Sequence, residues 1–552
     1  MSEQWTTERP DSAGQAIPRH RRPVLISSRS RARLGWMTAM VAVSVALLVA
    51  ACTSGSQQPT SGNGSASNAT DAVNRNATLR FAINASYGTL DPVKSTLAVD
   101  PFFQLPVYER LLTVVQGVNG LKVVPQLAKS YTVAPDGRSI TLELLSGVAF
   151  QDGTPFNAAA VKANFARAQG PDSLVASKLK AVKSVDVIDP TRVVINLTQP
   201  DPAFVWTLAT GTATMMVSPA AFNTDLSAKP VGTGPFTVLS ANKDVGVTYQ
   251  RWPGYRDKNA ALMQQLKFEV VPDTQVRFNG LRSGQYDVAY LASPTDAVAK
   301  SLTSQGYHYE QSTIVSYGTY GLMLNTGSAP FNDVRVRQAV SMAIDRTQIS
   351  TKLLNGVNPP AYQPLLAGVA GHDPALDTAT FNPAQAKALV QQAGAAGATI
   401  TLIEQTNPPN AELATVVQQE LGDIGLKVKL VPMAATLATS TWTKGQYNAE
   451  VGLTLSSPDP GTALGLYLAD DPSSPPAALV SMINGAKALW ADSAKQTSAY
   501  QAISRYLVAN PLQVPIAPFI LTDVARPNVV GAQNLQISVL DQFQFRGVGI
   551  AK

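Results

Sequence analysis

Apolar positions along most of this chain fall into short runs with one of two periods. Leu79, Phe81 and Ile83 alternate with polar or small neighbours, and so do Ile140, Leu142 and Leu144 around Thr141 and Glu143. A period of two predicts strands with one buried face. Residues 266–270, 322–324 and 428–430 predict three more. Helical stripes are punctuated by caps. Asn157 predicts the start of a helix over 158–168 that stops at Gly170, and Asn382-Pro383 opens one over 384–393 that ends at Gly394. Val336, Val340, Ala343 and Ile344 make one apolar face of a helix from about Asp333, with Arg335 and Arg337 off it. Tyr500, Ile503 and Leu507 stripe a last long helix. Strands and helices are interleaved without an internal repeat, so a mixed α/β fold is expected. These stripes are core and carry no chemistry.

The N-terminus breaks the pattern. Arg19, Arg21, Arg22, Arg29, Arg31 and Arg33 precede residues 34–51, which hold no charge. Basic, then apolar, then small is the order of a secretory signal peptide, here residues 1–51. Arg21-Arg22 lies far upstream of the apolar run, so the general secretory route is expected. The chain's only cysteine, Cys52, follows at once in Leu48-Val49-Ala50-Ala51-Cys52. This resembles the bacterial lipobox, whose cysteine sulfur receives a diacylglycerol; Val49 stands where leucine is commoner. The resemblance implies export and a lipid anchor on the outer face of the cytoplasmic membrane. The competing reading is an uncleaved signal-anchor helix, since about 18 residues is the short edge of a span. Residues 53–77 are rich in Ser, Gly, Asn, Gln and Thr and predict a flexible tether.

Export changes the picture of charge. The leader holds seven of the 43 basic and three of the 37 acidic side chains, which leaves 36 and 34. The mature part is close to neutral, and no nucleic-acid partner is expected. Without a second cysteine no disulfide can form, so stability must come from a large core. About 475 residues beyond the tether suffice for two or three folding units.

Catalytic patterns are missing from the sequence. Beyond the leader two histidines, His308 and His372, stand far apart, and no Gly-x-Ser-x-Gly elbow, Walker A loop or His/Cys metal spacing occurs. Ser177-Lys178-Leu179-Lys180 fits Ser-x-x-Lys without the companion Lys-Thr-Gly. Gly232-Thr233-Gly234-Pro235 lacks a third glycine and reads as a turn entering a strand. No cofactor and no metal are expected. Paired-carboxylate catalysis stays open, so a lipid-tethered cell-envelope hydrolase is the alternative to a binding protein.

An ordered set of motifs favours the binding protein. Thr89-Leu90-Asp91-Pro92 is followed by Val107-Tyr108-Glu109-Arg110-Leu111-Leu112, Val124-Pro125-Gln126-Leu127-Ala128, Asp136-Gly137 and Phe150-Gln151-Asp152-Gly153-Thr154-Pro155-Phe156. Later come Gly232-Thr233-Gly234-Pro235-Phe236, Pro330-Phe331-Asn332-Asp333-Val334-Arg335-Val336-Arg337-Gln338-Ala339, Ala343-Ile344-Asp345-Arg346 and Ser457-Pro458-Asp459-Pro460. In this order they resemble extracellular solute-binding proteins of family 5, the oligopeptide/dipeptide type that serves ABC importers. The resemblance implies a two-lobed, periplasmic-binding-protein-like fold of type II, cluster C. The first lobe would cover 78–304 with a subdomain inserted near 104–194, the second 305–510, and 511–552 would return to the first. It implies a monomer that takes a small-molecule or peptide ligand and works with separate permease and ATPase subunits. A non-transport role in signalling or envelope assembly would use the same fold.

In relatives, ligand backbone pairs with one extended segment from each lobe. These match Ser86, Tyr87, Gly88 and Thr89, and Gly452, Leu453 and Thr454. Tyr87 is either a surface tyrosine or pocket lining. Leu453 stands where peptide binders tend to carry tryptophan, and Phe519 is a weaker candidate. Ser456 replaces the aspartate that receives a peptide's α-ammonium. Glu450 is either a substitute carboxylate or a solvated strand-edge residue, and Asp459 reads as a turn residue. The ligand would be a peptide, a blocked or modified peptide, an oligosaccharide or another small polar solute.

Overall fold

The computed structural model describes residues 73–552 apart from 98, 118–119, 292–295, 312–317, 379, 536, 539–541 and 544. The expected signal peptide, Cys52 and most of the expected tether lie outside the described residues. The folded body begins earlier than the composition predicts. Val73 is buried and bridges Ala551, and Asn74 N donates to Ile550 O at 2.8 Å, so 73–77 belong to the body.

Three sheets carry the architecture. The first has seven strands in the order His308–Gln311, Thr522–Ala525, Val288–Tyr290, Thr78–Ile83, Gln265–Val270, Gly246–Arg251 and Phe236–Asn242. Thr78–Ile83 pairs in parallel with both neighbours, and Leu79, Phe81 and Ile83 are at most 1% exposed. The second has five strands: Lys427–Met433, Thr399–Gln405, Ala449–Leu455, Gly318–Leu324 and Gln513–Phe519. The third is antiparallel, in the order Ala128–Val133, Ser139–Leu144, Arg192–Leu197 and Val182–Asp189.

Each sheet has its own core. Phe268 centres the first, with Phe81 and Phe103 at 5.4 Å and Tyr249 at 5.5 Å between ring centroids. Such pairs contribute about 0.5–1.5 kcal/mol each beyond burial. Leu322, Val340, Leu402 and Val451 pack in the second, and Ile140, Leu142, Phe165 and Ile195 in the third. The mixed α/β class expected from the sequence is what the chain adopts.

The caps act as the sequence predicts. Asn157 accepts from Ala160 N at 3.0 Å and opens Ala158–Gln169, while Asn382 accepts from Gln385 N at 3.1 Å and opens Pro383–Gln392. Asp333 opens Val334–Ala343 by accepting from Arg335 N at 2.8 Å. Tyr500, Ile503 and Leu507 are buried on Ser493–Ala509.

Gly232 and Gly234 serve a close approach of two backbones. A Cβ at Gly232 would stand 2.2 Å from Val107 O and one at Gly234 2.6 Å from it, and Gly234 N donates to that same oxygen at 2.8 Å. Gly232→Ala is therefore expected to cost about 2–4 kcal/mol, because backbone has to move. A urea titration reads it, and a loss under about 0.5 kcal/mol would contradict the tight approach.

Strand ladders run across the boundaries expected from sequence. Arg192–Leu197 spans the expected end of the inserted subdomain at 194, and that subdomain's core continues to Met216. His308–Gln311 pairs with Thr522–Ala525 in the first sheet, although 305 was the expected start of the second lobe. Gln513–Phe519 pairs with Gly318–Leu324 in the second sheet, beyond the expected end at 510. The chain thus passes between the two sheets twice, between Gln311 and Gly318 and between Phe519 and Thr522.

Candidate functional site

Segment 86–89 leaves the C-terminal end of Thr78–Ile83 and is shaped by one buried carboxylate. Asp100, fully buried, accepts from Gly88 N at 2.7 Å, Thr89 N at 3.4 Å, Ser95 Oγ at 2.9 Å, Thr96 N at 3.2 Å and Leu97 N at 3.1 Å. Gln104 Nε2 donates to Thr89 O at 3.1 Å, and Thr89 Oγ1 lies 2.8 Å from Ser227 Oγ. The next turn is pinned by Asp91, which takes a two-pronged contact from Arg167 at 2.7 and 3.0 Å. Ser86 Oγ donates to the carbonyl of Lys243. Tyr87 is 5% exposed, with its ring 4.9 Å from Phe103 in the first core, which removes the surface-tyrosine reading. Burial raises its phenol pKa. Asp100 and Gln104 were missed from sequence: one aspartate ahead of Pro101 carries no signal that five donors will converge on it.

On the second sheet, alternation sends Ala449 and Val451 into the core, and partly buried Leu453 packs against that core. Glu450, Gly452 and Thr454 take the opposite face. Glu450 is 2% exposed on a strand with neighbours on both sides, so it is not the solvated edge residue weighed above. Its Oε1 accepts from Gln405 Nε2 at 2.8 Å, and Gln405 Oε1 in turn accepts from Asn410 Nδ2 at 3.0 Å. Burial pushes the Glu450 carboxyl up to about 7, with the Gln405 bond opposing and Asp470 adding. Burial also lifts Asp470 to about 6, with nearby Thr454 and Gln513 opposing. Thr454 Oγ1 donates to Gln513 Oε1 at 2.6 Å. The sequence marks none of Gln405, Asp470 and Gln513, which lie on three different elements.

Ser456 is 4% exposed, and its Oγ has no hydrogen-bond partner. It faces a cavity of about 10 Å³, room for one water, shared with Thr319, Thr454, Tyr467 and Gln513. Every residue lining this cavity belongs to the second lobe, so the hydroxyl turns into that lobe. Ser456→Asp is expected to destabilise the protein by about 3 kcal/mol at pH 8, because a carboxylate would be buried there without a cation. Thermal melts across pH check this, and an unchanged melt at pH 8 would show that the side chain reaches solvent. Asp459 caps Pro460–Ala469 by accepting from Thr462 N at 2.7 Å, a more definite role than the expected turn.

Phe519 lies at a crossover. Its ring meets Tyr320 edge-on at 5.4 Å, and it packs against both the first and the second core. Strand register puts the two candidate segments at matching places. Ile83 pairs with Val270, and in the same sheet Tyr290 pairs with Asp523, one residue past Thr522. Gly318, where the other crossover ends, pairs with both Leu455 and Phe519. Segment 86–89 thus leaves its sheet beside one crossover, while Gly452–Leu455, still paired with 318–321, end their strand beside the other, each held by bonds within its own lobe.

Residues 122–475 match the family of bacterial extracellular solute-binding proteins, family 5 Middle. The chain is 31% identical to the glutathione-binding protein GsiB of Salmonella typhi over 385 residues, 67% of this chain and 72% of that protein. Its fold is similar to that of the periplasmic binding protein DppA from Helicobacter pylori in complex with peptide STSA. That match has a TM-score of 0.75 at 20% identity and covers 86% of this chain and 98% of the other. It is likewise similar to NikA from Brucella suis in complex with Fe(III)-EDTA, with a TM-score of 0.73 at 23% identity over 86% and 98%. Family and architecture therefore agree: the chain belongs to the bacterial extracellular solute-binding proteins of family 5.

Proposed function

We propose that this protein is the substrate-binding lipoprotein of an ABC importer. It captures a peptide-like or other small polar solute between the two sheets and hands it to a membrane permease. The observation that carries this reading is that segment 86–89 and the C-terminal end of strand Ala449–Leu455 both lie beside a crossover. A ligand held there touches both lobes, and rotation about the crossovers closes one lobe on the other. Closure then has to be driven by tighter binding in the closed form. The likeness to a glutathione-binding protein supports a peptide-like ligand. Ser86, Tyr87, Gly88 and Thr89 from the first lobe and Gly452, Leu453 and Thr454 from the second are the proposed contacts, with Phe519 at the hinge.

Mass spectrometry of small molecules released on denaturing the purified protein tests the ligand class. Titration of the molecule found should raise the melting temperature, by about 2.7 kcal/mol of stability at a hundredfold excess over Kd, and should shrink the radius of gyration. Binding without a change of shape would defeat the clamp. Turnover of the bound molecule would favour the hydrolase.

Cys52 is the proposed acyl acceptor, which places the protein outside the cytoplasmic membrane. Cys52→Ala should leave the membrane fraction on a carbonate wash, because the chain has no other thiol. Retention after the wash would instead support an uncleaved apolar helix.

A further inference from the structure

Close to where the described chain begins, Arg75 meets the loop that follows Arg251. Arg75 Nη1 donates to Lys258 O at 3.0 Å and Nη2 to Asn259 Oδ1 at 2.9 Å, while Arg251 Nη1 donates to Arg75 O at 3.2 Å. With Trp252, Tyr255, Asp257 and Lys258 these arginines line a cavity of about 280 Å³ on the first lobe. Three cations line it against one carboxylate. That carboxylate, on Asp257, has Arg546 Nη1 at 3.9 Å, and Arg546 and Arg256 both close on buried Glu109. Trp252 is fixed by the tight turn after it, since a Cβ at Gly254 would stand 2.6 Å from its Cε2. The cavity therefore joins a positive surface to a held, half-exposed indole, and none of its lining residues belongs to the candidate ligand segments.

The chain toward Cys52 leaves from this face, because Val73 lies two residues before Arg75. Twenty residues separate Cys52 from Val73, and a Gly/Ser-type segment of that length spans roughly 25 Å. With Cys52 acylated, a tether of that length keeps this face within reach of the bilayer. We propose that the cavity of Arg75, Arg251, Trp252 and Lys258 seats the phosphate of an anionic lipid headgroup and docks the folded body on the membrane. Arginine and lysine near an anionic leaflet gain from its surface potential, and tryptophan suits headgroup depth. Docking would cut the tilting that the tether allows and hold the cleft in one orientation toward the permease. The assignment to lipid rests on the proposed anchoring at Cys52.

The test uses residues 53–552 made without an acyl group, which contain every core described above. The protein is sedimented with vesicles of phosphatidylglycerol and phosphatidylcholine in equal parts, and with phosphatidylcholine alone. Binding is expected to the anionic vesicles only, and to be lost as salt shortens the screening length. Arg75→Gln, Arg251→Gln and Lys258→Gln together should weaken it at least about tenfold. Lys178→Gln, Lys180→Gln and Lys183→Gln, exposed on the inserted subdomain, remove the same charge and should leave it unchanged. Should the first triple variant melt early, Lys258→Glu alone is the substitute, since its side chain is exposed and its ammonium holds one loop carbonyl, that of Pro253. Equal binding to both vesicle types, no binding to either, or equal loss in the two triple variants would overturn the proposal. So would saturable binding of inorganic phosphate without vesicle binding, which would assign the cavity to a free anion. Because the tested chain carries no acyl group, its result is independent of whether Cys52 is modified in cells.

Discussion

Asp100→Ala is expected to lower the unfolding free energy by about 3–5 kcal/mol and to loosen segment 86–97. Five donors converge on that carboxylate, four of them backbone amides of Gly88, Thr89, Thr96 and Leu97. Truncation leaves them without an acceptor, and each orphaned buried donor, Thr89 N and Ser95 Oγ among them, costs about 1–3 kcal/mol. Asp100→Asn keeps the shape but exchanges one acceptor oxygen for an amide, so about half of the loss should return. Urea unfolding gives the magnitude, and hydrogen exchange at Gly88, Thr96 and Leu97 shows where protection is lost. A change below about 1 kcal/mol with protection intact would mean that packing alone shapes the segment. The same variant should weaken ligand binding if segment 86–89 is the contact proposed above, because that segment would no longer be held in shape.

Glu450→Gln is expected to stabilise the protein at pH 8 by about 3 kcal/mol and to have almost no effect at pH 4. The unfolded chain releases this proton near the ordinary 4.5, whereas the folded chain holds it up to about 7. Between those values the native state binds more protons than the unfolded one, so stability falls as pH rises through the window. Above pH 7 the whole penalty is present. Glutamine keeps an acceptor for Gln405 Nε2 and removes the buried charge. Glu420, raised to about 7, and Asp470, raised to about 6, slope the wild-type curve in the same direction, so the difference between variant and wild type isolates Glu450. Parallel stability curves for the two proteins would show that Glu450 titrates normally. A ligand that brings a cation to this strand would reverse the economy: the ionised carboxylate would gain a partner, and affinity would rise through pH 7.

Several features were legible in residues alone because each depends on a few neighbours in sequence. Leu79, Phe81 and Ile83 declare a half-buried strand through their spacing, and Asn157, Asp333 and Asn382 declare helix starts through a side chain that reaches two or three residues ahead. The family could be read from motifs in order for the same reason. Boundaries were not legible, since a strand's membership is settled by which distant strand it pairs with. His308–Gln311 and Gln513–Phe519 look alike as strands, and only hydrogen bonds to Thr522–Ala525 and to Gly318–Leu324 sort them into different sheets.

The candidate site divides in the same way. Sequence placed 86–89 and 452–456 by resemblance, and alternation alone put Glu450 on the face of Gly452. It could not say that this face is covered. Burial of Glu450, the inward turn of Ser456 and the convergence of five donors on Asp100 all depend on groups brought together from separate elements. Composition, local pattern and ordered motifs thus determined the class of fold and the family. Tertiary structure decided which polar groups lost their water, because desolvation depends on what packs over a residue and not on what precedes it.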